Sequence, residues 1–66
     1  MNRSHEIVLS HAQLVSLYLA LTKQETQLDE LQKQVLEQLA AELYTHLSVS
    51  EMEEIEQYYH RLLRPR

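Results

Sequence analysis

Apolar residues recur along this chain in three blocks, each with helical spacing. In the first, Leu14, Val15, Leu17, Tyr18, Leu19 and Leu21 spread over well more than half of a helix circumference, leaving a strip of Gln13, Ser16 and Ala20. An ordinary surface helix shows an apolar stripe of about 100° or a little more, so this breadth predicts a helix over 11–23 covered from two sides. Ser10 stands before it and can cap it by accepting from the amide of Gln13. In the second block, Leu28, Leu31, Val35, Leu39, Leu43 and Leu47 follow one another at three or four residues, with Leu36 and Ala40 alongside. This predicts a helix over 26–47 with Thr26 as candidate cap and Asp29 and Glu30 at its positive end. About 22 residues at 1.5 Å each make roughly 33 Å, longer than either neighbour. In the third, Met52, Ile55, Tyr59 and Leu62 keep a 3-4-3 rhythm widened by Tyr58 and Leu63, predicting a helix over 51–64. Ser48 with Glu51, or Ser50 with Glu53, fits the capping box at its start.

Ahead of these blocks, "EIVLS" is β-branched at Ile7 and Val8 and reads as a short extended segment. The expected fold is all-α: three helices with a long second one and a short extended N-terminal segment, in a single small domain over 1–66. Leu, Gln, Glu and Ala are abundant, glycine is absent, and the one proline is Pro65, so no interior breaker contradicts this.

Size adds a second expectation. A domain of about 60 residues buries only about 60% of its unfolded surface and is marginally stable. With no cysteine, disulfides and thiolate metal sites are excluded as support, and oligomerisation is the remaining common one. The expected assembly is an intertwined homodimer. Its interface is expected at Ile7 and Leu9 of the extended segment, Leu17, and the small-residue row Ala12, Ser16 and Ala20, which lets another helix approach closely.

Charge and hydropathy narrow the classes. The net charge is −4, and residues 25–47 carry five acids against Lys33. A phosphate-tracking protein shows a basic stripe, so nucleic acid is disfavoured as a partner. The longest nearly apolar run, Leu14 to Leu21, is far shorter than the roughly 20 residues of a membrane span, and Glu6, His11 and Gln13 interrupt any signal-peptide core. No membrane contact and a cytoplasmic location are expected.

Candidate chemistry is sparse. Glu42 with His46 and Glu56 with His60 are i, i+4 pairs, but helical-bundle metal sites use Glu-x-x-His at i, i+3 backed by further glutamates, so solvated pairs are the plainer reading. A glycine-free chain has neither a phosphate-cradling loop nor a nucleophile elbow, and its serines and threonines fall mostly at helix boundaries. Neither an enzyme nor a cofactor is expected. Tyrosine and arginine are enriched at binding hot spots, which makes Tyr58, Tyr59, Arg61, Leu62 and Arg64 the candidate partner-binding residues. Core packing explains Tyr59 equally well.

The short segment "EIVLS" followed by two helices loosely resembles the ribbon-helix-helix repressors over about residues 5–47. The resemblance implies dimerisation by antiparallel pairing of the N-terminal segments and major-groove DNA binding. Glu6, Val8 and Ser10 supply no basic or amide readers of bases, and the usual glycine turn is missing. The expected function is therefore an acidic helical interaction module that binds and inhibits or sequesters a regulatory protein. The alternatives are a ribbon-helix-helix-like DNA-binding regulator, a DNA mimic using Glu25, Asp29, Glu30, Glu37 and Glu42, and a purely structural oligomer.

Overall fold

The computed structural model describes residues 5–64. The chain is all-helical, with α1 over His11–Lys23, a 3-10 turn over Glu25–Gln27, α2 over Glu30–Tyr44, α3 over Val49–Glu53 and α4 over Ile55–Leu63. No helix among the described residues is long and apolar enough to cross a membrane. Residues 5–10 carry no regular secondary structure and are exposed throughout.

Reciprocal capping sets three helix starts. Ser10 Oγ accepts from the Gln13 amide at 3.1 Å while the Ser10 amide donates to Gln13 Oε1 at 2.8 Å. Ser48 and Glu51 make the same exchange at the start of α3. At α2 the partners are Asp29 and Gln32, at 2.8 and 2.9 Å. Two orphan amides are satisfied each time, which fixes the boundary more firmly than apolar periodicity does.

That device corrects the expected second helix. Thr26 is not its cap: Gln24 closes α1 by donating to the Leu21 carbonyl, Thr26 lies within the 3-10 turn, and Leu28 is extended before Asp29 takes the capping role. Helices α1 and α2 are separate despite the absence of glycine. At the other end the Thr45 hydroxyl donates to the Glu42 carbonyl at 2.6 Å, a local bond that competes with a further helical turn. The helix stops at Tyr44, and the buried Leu47 belongs to the connection. At 15 residues α2 is about 22 Å long, barely longer than α1 with 13.

The expected third helix is two. It breaks at Glu54, at φ −116° and ψ 40°, with no glycine or proline to mark the place. Glu51, Glu53, Glu54 and Glu56 crowd this stretch, and like charges three apart on a helix surface repel, which weakens a continuous turn here.

Helix α1 is the centre of the molecule, flanked by α2 and α4. Both run antiparallel to it: His11 at the start of α1 meets His46 beyond the end of α2 and Tyr58 of α4. The core is small: Val15, Leu19, Leu43, Leu47 and Met52, with Leu14, Tyr18, Ile55, Tyr58 and Tyr59 packed on it. The two-sided cover expected for helix 1 comes from within one chain.

Unmatched apolar surface lies elsewhere. Leu31 is 71% exposed and Val35 43%, and no residue of α2 before Leu39 is buried. In the N-terminal segment Ile7 and Val8 are 79% and 95% exposed. The radius of gyration is 13.0 Å, against about 11 Å for a compact domain of this length, in keeping with so much uncovered surface.

Candidate functional site

Two grooves run along opposite sides of α1. The first lies between α1 and α4. Its lining near the start of α1 is Ala12, Gln13, Ser16, Leu17 and Ala20, with Tyr59 and Leu63 opposite, in a volume of ≈ 380 Å³. Sharing Ser16, Ala20 and Tyr59, it continues to Lys23, Gln24, Glu56 and His60 with a further ≈ 390 Å³. From Ala12 to Gln24 the α1 wall is about 18 Å long, roughly three turns of a helix laid beside it.

The small-residue row is why this groove exists. Ala12, Ser16 and Ala20 follow one another at i, i+4 and i+8, so that edge of α1 carries no bulky side chain to fill the space beside Tyr59. Leu17 at 40% exposure and Leu63 at 55% leave apolar edges in water beside it. Four of the six residues of the expected dimer interface, Ala12, Ser16, Leu17 and Ala20, thus sit together with one residue of the expected partner patch, Tyr59.

The rest of that patch is divided. Tyr58 and Tyr59 are both half-buried against the core. Tyr58 turns away from the groove, its hydroxyl hydrogen-bonded to His11 Nε2 at 2.5 Å. Arg61 is exposed and stands about 160° around the helix from Leu63, so the two cannot serve one narrow contact. Leu62 is 38% exposed, and Arg64 is the residue that ends α4. Leu63, expected only to widen the apolar face of the third helix, lies beside Tyr59 on the α1 side because of the α1 to α4 register.

The second groove lies between α1, α2 and the N-terminal segment. Ile7, Leu9, Leu14 and Leu39 supply its apolar lining and His11, Gln38, Glu42 and His46 its polar one, around ≈ 610 Å³. Ile7 and Leu9, expected at the dimer interface together with the small-residue row, are on this side of α1 instead. Its polar end is tied together: His46 Nε2 is 3.2 Å from Glu42 Oε2, and the His11 and His46 rings meet edge to face at 6.3 Å. Among the described residues no group of three or more His, Cys, Asp or Glu side chains is placed to hold a metal ion.

Burial pushes the Tyr18 phenol above its ordinary value of 10.0, and the neighbouring Tyr44 and Glu25 push it further the same way. The five acids considered for DNA mimicry do not share one role: Asp29 is committed to its cap, Glu42 pairs with His46, and Glu25 lies in the 3-10 turn.

No protein-family model, no curated protein and no solved structure matches this chain.

Proposed function

We propose that the chain is a stoichiometric interaction module that binds a regulatory protein and sequesters it by taking an apolar helical segment of that partner into the groove between α1 and α4. The observation that carries this reading is the groove itself, an open trough of three helical turns with a small-residue floor, edged by exposed Leu17 and Leu63. An amphipathic helix binds such a trough through side chains at i, i+3, i+4 and i+7, and small residues beneath it let the backbones approach closely. Tyr59 is the anchor at the centre: half-buried, with only two side-chain torsions to fix, it presents ring area at low entropic cost.

The test is affinity capture of the tagged chain from a host lysate, with and without nuclease. The expected result is one protein in near-equal amount, insensitive to nuclease, lost with Leu17→Glu or Leu63→Glu and kept with Val49→Glu, whose side chain is exposed on α3. Capture unaffected by both groove variants overturns the assignment. Recovery abolished by nuclease moves it to DNA binding.

A further inference from the structure

The second groove and the uncovered part of α2 are related by position. Leu31, the most exposed apolar residue of α2, lies four residues before Val35; Leu39, which lines the groove with Ile7, Leu9 and Leu14, lies four residues after it. At 1.5 Å per residue the projecting side chain and the recess are each about 6 Å from Val35 along the same helix. The row Leu31–Val35–Leu39 winds about 40° around the helix at each step, so a twofold axis through Val35 perpendicular to this row, with the two α2 axes crossing obliquely, sets Leu31 of one copy over the recess of the other, and does so twice.

We infer that the chain forms a twofold-symmetric homodimer in which the α2 helices cross antiparallel at Val35 and each Leu31 fills the partner copy's groove beside Leu39, Ile7 and Leu9. Two further observations select a second copy of this chain as the occupant. The first is charge. The chain carries −4 and repels its own copies, so self-association requires a face from which charge has been removed. On α2 the exposed apolar stripe is flanked by Gln32, Gln34 and Gln38, while Glu30, Lys33 and Glu37 project about 130° or more away around the helix. Glu42 is the one α2 carboxylate on the Val35 side, about 20° from it around the helix, and it also lines the recess. It is paired with His46 and lies about 10 Å along the helix from Val35, which keeps its two copies farther apart than the Debye length of about 8 Å at physiological salt.

The second observation is exposure. Ile7, Leu9, Leu31 and Val35, the apolar residues this contact would bring together, are 79%, 39%, 71% and 43% exposed, and the surface buried between homodimer partners is about 65% apolar. A twofold contact at Val35 covers these exposed side chains on both copies at once.

The interface is distinct from the groove between α1 and α4, and the test separates them. Molar mass is measured by light scattering on the full chain between about 1 and 300 μM, with circular dichroism to check that each variant is helical. The wild type and Leu17→Glu are expected to run as dimers, and Leu31→Glu and Val35→Glu as helical monomers, with dissociation constants raised at least tenfold. Because the chain has no cysteine, Val35→Cys supplies a second readout: on the axis it meets its own copy, and mild oxidation is expected to link it into covalent dimers, whereas Leu17→Cys under the same conditions stays single. A wild type that remains monomeric at 300 μM overturns the inference. So does a dimer that survives Leu31→Glu and Val35→Glu, or one lost in Leu17→Glu, which would place the contact on the small-residue row of α1.

Discussion

Leu43 and Val15 have no exposed surface, and between them they join α1 to α2 at the centre of the five-residue core. In so small a core, truncation has nowhere to relax. Leu43→Ala is expected to cost about 2–5 kcal/mol, a large share of the total stability of any small domain, and to leave the chain largely unfolded at 37 °C. Urea unfolding followed at 222 nm at fixed protein concentration checks it, with an unchanged midpoint as the contrary result. Tyr18 gives a prediction at alkaline pH. Its folded value is raised, first by burial and then by Tyr44 and Glu25, so folding favours the neutral phenol. The corresponding stabilisation is complete below the unfolded value near 10 and is lost as pH rises through the higher folded value. In a titration of tyrosinate absorbance, Tyr18→Phe is expected to remove the step at highest pH; a profile that keeps that step would show another tyrosine to be the most protected.

At the scale of elements, what can be read from residues depends on whether a signal is local. The start of α1 is legible because Ser10 and its partner lie within one turn. The start of α2 is not, because Thr26 and Asp29 are both good caps and Leu28 extends the apolar stripe past the true boundary; only the reciprocal bond from Gln32 decides between them. Asp29→Ala is accordingly expected to lower stability by about 1 kcal/mol and Thr26→Ala by far less, measured by thermal unfolding of the two variants side by side. Equal effects would mean that the capping exchange does not govern this end. The break at Glu54 has no glycine or proline to announce it, and the division of Tyr58 from Tyr59 follows from how α4 is rotated against α1. Such rotation is a property of two helices together. The breadth of the α2 stripe was a usable signal nonetheless: from Leu31 round to Ala40 it covers about 180°, more than one neighbour can bury, and the exposed Leu31 and Val35 lie at its edge.

For the whole molecule the balance is between apolar surface and charge. A small core leaves Ile7, Val8, Leu31 and Val35 in water, while a net charge of −4 keeps copies apart. Salt shifts this balance in one direction. Raising ionic strength from about 0.02 to 0.5 M shortens the screening length severalfold, so self-association is expected to strengthen, opposite to the weakening that salt brings to any phosphate-tracking interaction. Sedimentation velocity at two salt concentrations measures the sign directly, and weakening with salt would indicate that opposite charges, not a neutral apolar face, hold the copies together.

The first half of α2, where Leu36 is half-buried and no side chain is fully buried, also determines where the chain opens. Its amides are held by helical bonds and by the exchange between Asp29 and Gln32, with no core residue above them until Leu39. Local opening of these turns therefore requires far less free energy than global unfolding, and their amide hydrogens exchange with solvent while those around Leu43 stay protected. Covering Leu31 and Val35 closes that route. The proposed association is expected to appear in hydrogen exchange as slowed exchange over the first two turns of α2, the segment whose local opening it blocks.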